Sequence, residues 1–144
     1  KQEIYDTFMT GPEDSIEFFH GYTYSGHPLA AAAGVAALEV YQEEGLFQRA
    51  SELAPILESE LQTIKGSQYV IDIRNFGMLG AIELEPIEGK PTARALSVFR
   101  ECYSRGVLVR TTGDTVALCP PLIASEEQVK TAVQTLKESI AAID

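Results

Sequence analysis

The sequence predicts an α+β fold, a small, mainly antiparallel sheet covered by helices. Several segments repeat apolar residues at helical spacing, with Gly or Pro at their ends. Between them lie β-prone runs, YVIDIR with LGAIEL and GVLVR with TVALC, each pair joined through a glycine-containing turn signal. Strands grouped between helices, with an antiparallel hairpin among them, indicate a sheet layered against helices.

Composition narrows the function classes. The 144 residues suit one domain, and 45% apolar content sustains a core. A net charge of −10 argues against nucleic acid, which needs a basic face. It leaves room for a small anion, because one helix terminus or one arginine outweighs distant charge. The longest apolar run, Leu29–Leu38, falls short of the roughly 18 residues of a membrane span. The opening KQEIYDTF lacks a signal-peptide layout. Cys102 and Cys119 show no metal or redox spacing. These features point to a soluble, cytoplasmic protein with reduced thiols and no membrane partner.

In chain order, residues 1–19 carry two apolar groups, Ile4, Tyr5, Phe8 and Met9, then Ile16, Phe18 and Phe19, separated by TGPEDS. So short an apolar piece has little to bury against alone. The loop HGYTYSG follows, with hydroxyls at Tyr22, Thr23, Tyr24 and Ser25. It runs into a helix over Pro28–Glu44, with Pro28 suited to the first turn and Gly45 to the left-handed position past its end. The Ala-rich centre of this helix lets another backbone approach closely and predicts tight packing. A second helix, Leu46–Lys65, sets Phe47, Ala50, Leu53, Ala54, Leu57, Leu61 and Ile64 on one face, with Pro55 inside and Gly66 at the end.

Tyr69–Arg74 and Leu79–Leu84 read as strands joined through Asn75-Phe76-Gly77, where Gly77 and Gly80 suggest a bend or a close backbone approach. A loop over Pro86–Pro91 leads to a third helix, Thr92–Arg105, that buries Ala95, Val98, Phe99 and Cys102 and stops at Gly106. Val107–Arg110 and Thr115–Cys119 form a hairpin across Thr111–Asp114. Ser125 and Gln128 make a capping box for a last helix with a stripe of Val129, Val133, Leu136 and Ile140.

The chemistry-bearing residues concentrate in two places. Thr23 lies in a hydroxyl-rich loop before a helix start, where free N–H groups and the helix dipole favour a phosphate or carboxylate. An ordinary turn and cap explains the same residues. Arg110 ends a predicted strand, so its side chain can leave the sheet, and a guanidinium grips a carboxylate through two parallel hydrogen bonds. His20 and His27 are too few for a metal cage and read as hydrogen-bonded structural residues. Asp72 and Arg74 share a strand face and can pair. Ser25 has no base nearby in sequence and is no nucleophile.

HGYTYSGHP with its Ala-rich helix, RNFGMLGAIEL (Arg74–Leu84) and GVLVRTTGDTVALCPPLI (Gly106–Ile123) together resemble the class III, pyridoxal-phosphate-dependent aminotransferases, most nearly the omega-amino acid:pyruvate group. The resemblance is to the C-terminal part of those enzymes. It implies the C-terminal domain of fold type I transferases, with residues 1–19 the cut end of a missing large domain. Residues 20–45 would then be a phosphate-site loop and interdomain helix, and 46–144 the small domain. It also implies that Thr23, with the backbone at Tyr22, binds the cofactor phosphate in the neighbouring subunit of a homodimer or higher oligomer. Arg110 would bind the substrate carboxylate and swing aside for an apolar amine.

In the family, the lysine that carries the cofactor and the acid at the ring nitrogen both precede HGYTYSGHP. Lys65, Lys90, Lys130 and Lys137 follow it, and Lys1 lies too close. The resemblance therefore implies no catalytic residue in this chain. It implies a fragment, inactive alone and without cofactor, of an enzyme that moves an amino group from an omega-amino acid or amine to pyruvate. Asn75 and Ala81 stand where the family often has glycine, so that segment reads as structural. From the residues alone, a stand-alone, non-catalytic module that binds small carboxylates or mediates assembly remains the rival.

Overall fold

Gly77 at φ 55° and Gly113 at φ 57° each occupy the first position of a two-residue hairpin loop, in left-handed backbone that glycine adopts without strain. The first hairpin joins β1 (Val70–Phe76) to β2 (Leu79–Leu84) and closes on Phe76↔Leu79. The second joins β3 (Arg110–Thr112) to β4 (Thr115–Leu118) and closes on Thr112↔Thr115. The sequence predicts earlier strand ends, at Arg74 and Arg110. One glycine turns each chain tightly enough for pairing to run further, so Asn75 meets Gly80, and Arg110 opens β3 instead of ending a strand.

The computed structural model describes residues 1–13 and 21–143. His20, Ile16, Phe18 and Phe19 lie outside the described residues. The chain divides into two compact units, Lys1–Leu38 and Glu39–Asp144. The first contains α1 (Gln2–Phe8) and most of α2 (Pro28–Glu43). Gly45, at φ 60°, follows α2 as expected. Neither helix has a buried residue. Among the described residues, the tight packing expected of the Ala-rich centre of α2 is not made: its side chains are exposed.

The second unit holds the four-stranded sheet, in order β1-β2-β4-β3 and antiparallel at every pairing. This is the expected α+β arrangement. α3 (Leu46–Gln62) and α4 (Ala93–Ser104) lie against the sheet, and α5 (Glu126–Ala141) packs on both. Their stripes bury Leu53, Leu57 and Leu61 from α3, Ala95, Val98 and Cys102 from α4, and Val129, Val133, Leu136 and Ile140 from α5. Ile82, Leu84, Val116 and Leu118 meet them from the strands. Phe47 departs from its predicted face. It is 65% exposed and sets its ring edge-on to Tyr41 at 5.4 Å. Pro55 lies on the exposed side of α3, where a missing N–H is cheapest.

Gly80 makes the close approach its residue type suggests. A Cβ built there would stand 2.3 Å from Leu61 Cδ1. The capping box forms in full: Gln128 N donates to Ser125 Oγ at 3.1 Å, and Ser125 N to Gln128 Oε1 at 2.8 Å. Among the described residues, no helix is long and apolar enough to cross a membrane.

Candidate functional site

Two stretches carry the candidate residues, one in each unit. In the first, Tyr22–Ser25 is a turn, with Ser25 N donating to the Tyr22 carbonyl at 2.9 Å and His27 N to that of Tyr24 at 3.1 Å. Thr23 sits at the tip of this turn and is exposed. His27 is the hydrogen-bonded histidine expected, and it caps α2. Ala30 N donates to its Nδ1 at 3.4 Å and Ala31 N to its carbonyl at 2.9 Å. Pro28 has no N–H to offer. The start of α2 is therefore largely occupied by its own cap, and Leu29 supplies the remaining first-turn amide. That start is less open than the sequence suggests, and the exposed turn beside it carries the hydroxyls of Tyr22, Thr23, Tyr24 and Ser25. Among the described residues, Thr23 caps nothing.

In the second unit, the sheet face away from the helices presents one register row across all four strands: Arg74, Ala81, Ala117 and Arg110. The two arginines at its ends differ. Arg74 donates to Asp72 at 2.6 Å and to Glu83 at 2.7 Å, and these bonds, Glu83's first, raise its pKa above the usual value. The predicted Asp72–Arg74 pair thus exists, joined by Glu83. All three side chains are about half exposed, so the cluster adds little stability. Arg110 has no ion pair among the described residues. It borders an open concavity of about 450 Å³ whose walls include Leu79, Phe99, Leu108, Ala117 and Cys119.

Asp114 reads in the sequence as a plain turn former, and the structure gives it more to do. Both its carboxylate oxygens accept from Thr92 N, at 3.0 and 3.2 Å. Thr92 immediately precedes α4 and holds φ 69°, a strained value for a residue with a Cβ. The Asp114 carbonyl accepts from Leu84 N at 2.9 Å. Arg94, buried, supports the same end of α4: its Nε donates to the Glu85 carbonyl at 2.6 Å and its guanidinium lies 3.4 Å from the centre of the Tyr69 ring. Strand alternation places Leu108 and Arg110 on one face and was the available signal for the concavity. Nothing local in the sequence tied Asp114 to Thr92.

The two thiols contrast. Burial pushes the Cys102 thiol up, against a hydrogen bond from Ser139 and the charge of Arg105. Cys119 is exposed. Among the described residues, no group of His, Cys, Asp and Glu is arranged to hold a metal ion. Lys1, Lys65, Lys90 and Lys130 are exposed and Lys137 half-buried, so none stands in an enclosed site.

The profile of the family described as aminotransferase class-III matches residues 1–140. The chain belongs to this family. It is 46% identical over 142 residues to an omega-aminotransferase of Caulobacter vibrioides, covering 99% of this chain and 32% of that protein. Over 120 residues it is 48% identical to an omega-amino acid–pyruvate aminotransferase of Pseudomonas putida, covering 82% of this chain and 27% of the relative. Its fold superposes on a thermostable omega transaminase mutant from Pseudomonas jessenii with a TM-score of 0.78 and 30% identity, over 86% of this chain and 29% of that one. The chain thus spans about a third of the length of the curated class-III relatives it matches. The matched residues include both the Thr23 turn and the Arg110 hairpin.

Proposed function

We propose that this chain is the C-terminal part of an aminotransferase that moves an amino group from an omega-amino acid or amine to pyruvate. The observation that carries this is Arg110, a guanidinium without an ion pair among the described residues, beside a largely apolar concavity. Such a pairing suits a small molecule with a carboxylate at one end and an apolar body. Arg110 grips that carboxylate bidentately and orients the donor. Pyridoxal phosphate, when bound, supplies the group that takes up the amino nitrogen and stabilises the resulting carbanion.

The hydroxyls at the Tyr22–Ser25 turn fit the phosphate of that cofactor as neutral donors. Thr23 donates its hydroxyl there and Tyr22 its backbone, toward the active site of a neighbouring subunit in a homodimer or higher oligomer. The lysine that carries the cofactor comes from a part of the enzyme outside this chain, so the 144 residues alone do not turn over. In this reading residues 46–144 are the small domain, 20–45 the phosphate loop and interdomain helix, and 1–19 belong with the large domain. The enzyme works in the cytoplasm.

The test is a chimera, the Caulobacter omega-aminotransferase with its matching segment replaced by this chain. Active chimera is expected, and the isolated chain should form no alanine above a no-protein control. Arg110→Ala in the chimera should lower kcat/KM for β-alanine by roughly 10- to 150-fold, the equivalent of one charge-assisted contact of about 1.5–3 kcal/mol. Kinetics with 1-phenylethylamine, which has no carboxylate, should change little when the donor half-reaction is measured alone. Equal losses for both donors would overturn the role of Arg110. Thr23→Ala should weaken retention of pyridoxal phosphate, read by dialysis and absorbance, and unchanged retention would remove Thr23 from the phosphate site.

A further inference from the structure

We propose that Asp114 is a positioning residue for Arg110. This rests on the reading of Arg110 as the carboxylate-binding group. Arg110 stands on β3, an edge strand with three register pairs, all to β4. An edge strand this short has little pairing of its own to fix its place. Its turn is fixed instead by Asp114, whose carboxylate receives Thr92 N at 3.0 and 3.2 Å and whose carbonyl receives Leu84 N at 2.9 Å. The first tie joins the hairpin to the start of α4. That helix supplies Phe99 to the concavity, while β3 supplies Arg110. One carboxylate therefore sets the spacing of two walls of the site.

The tie is separable from the rest of the fold. α4 is anchored independently to the end of β2 through Arg94 and the Glu85 carbonyl, at 2.6 Å. Loss of the Asp114 carboxylate leaves that anchor, the core stripe of α4, the pairing of β4 with β2 and the backbone bond from Leu84 N in place, and removes only the tie between the turn that carries β3 and the start of α4. The amide that the tie receives belongs to Thr92, which stands at φ 69°, so the tie is made to a strained backbone position at the very start of α4. Asp114 touches no substrate in this scheme. It acts through β3.

The experiment compares Asp114→Ala, Asp114→Asn and Arg110→Ala in the chimera, with hydrogen exchange of the β3 amides in the 144-residue chain as a second readout. Asp114→Ala should raise KM for β-alanine at least five-fold, leave kcat/KM for 1-phenylethylamine within two-fold, and speed exchange at Arg110–Thr112. Asp114→Asn should recover most of both effects, since its side-chain carbonyl accepts the same amide. If Asp114→Ala does not fold, Asp114→Ser, whose oxygen falls short of Thr92, takes its place. Equal losses for both donors, unchanged exchange, or failure of Asn to rescue would each overturn the proposal. An Arg110→Ala enzyme that discriminates between the donors beside an Asp114→Ala enzyme that does not would overturn this inference alone. An Arg110→Ala enzyme without discrimination would overturn the underlying reading as well.

Discussion

α2 and α5 are both 16 residues long, yet α5 buries Val129, Val133, Leu136, Ser139 and Ile140 while α2 buries nothing. The two helices form for different reasons. α2 is alanine through most of its centre, and alanine has the highest intrinsic helix propensity. α5 has poorer formers, Val, Thr and Ser, but an apolar stripe that packs on α3 and α4. Propensity writes a helix into the sequence. Only bulk at the right spacing writes a core.

The largest expected effect tests that difference directly. Leu136→Ala, in the core stripe of α5, should destabilise the second unit by about 2–5 kcal/mol, through lost burial and a cavity. Leu38→Ala, at a position 65% exposed in α2, should stay within about 0.5 kcal/mol. Urea unfolding followed by circular dichroism gives both numbers. Comparable shifts would mean that α2 shares in the cooperative core.

The same distinction explains what was legible beforehand. Stripes, the Ser125 box and the glycine stops placed α3, α4 and α5 within a few residues, because those signals are local. Gly80 was legible as a close approach, though not its partner Leu61. Hairpin boundaries were misplaced because Asn75 and Thr111 look like turn residues, while one left-handed glycine already makes each turn. Phe47 has the right period for the core but lies at the first turn of α3, where Tyr41 is its neighbour. Arg110 is singled out in the sequence by its motif and its place at the end of a β-prone run. Its concavity was not legible, since Leu79, Phe99 and Cys119 come from separate elements, and neither was the Asp114–Thr92 tie across 22 residues.

One substitution should change sign between the two regions. Gly80→Ala forces a Cβ to 2.3 Å from Leu61 Cδ1, inside the packed core, and should cost about 1–3 kcal/mol. Gly34→Ala, in α2, meets nothing within 4 Å and should favour the helix by about 0.5–1 kcal/mol. Urea midpoints read the first and helical ellipticity the second. Pairing Gly80→Ala with Leu61→Val sharpens the point. The double variant should lose less than the sum of the singles, since the shorter side chain vacates the space the new methyl needs. Strict additivity would show that the clash is relieved elsewhere.

The smallest effects lie at the two helix starts. α5 begins with reciprocal bonds of 3.1 and 2.8 Å between Ser125 and Gln128. α2 begins with one side-chain bond, Ala30 N to His27 Nδ1, at a long 3.4 Å. Ser125→Ala removes an acceptor from a helix whose packing is part of the core, so about 1 kcal/mol should appear in the global unfolding midpoint. His27→Ala leaves the backbone bond from Ala31 N to the His27 carbonyl and removes only the weak cap. With no buried residue in α2 to transmit the loss, the global midpoint should not move. Carbon chemical shifts over residues 28–34 should instead report a shallower first turn. A midpoint shift for His27→Ala equal to that for Ser125→Ala would show that α2 unfolds together with the sheet, and that the contrast between the two helices is one of burial but not of cooperativity.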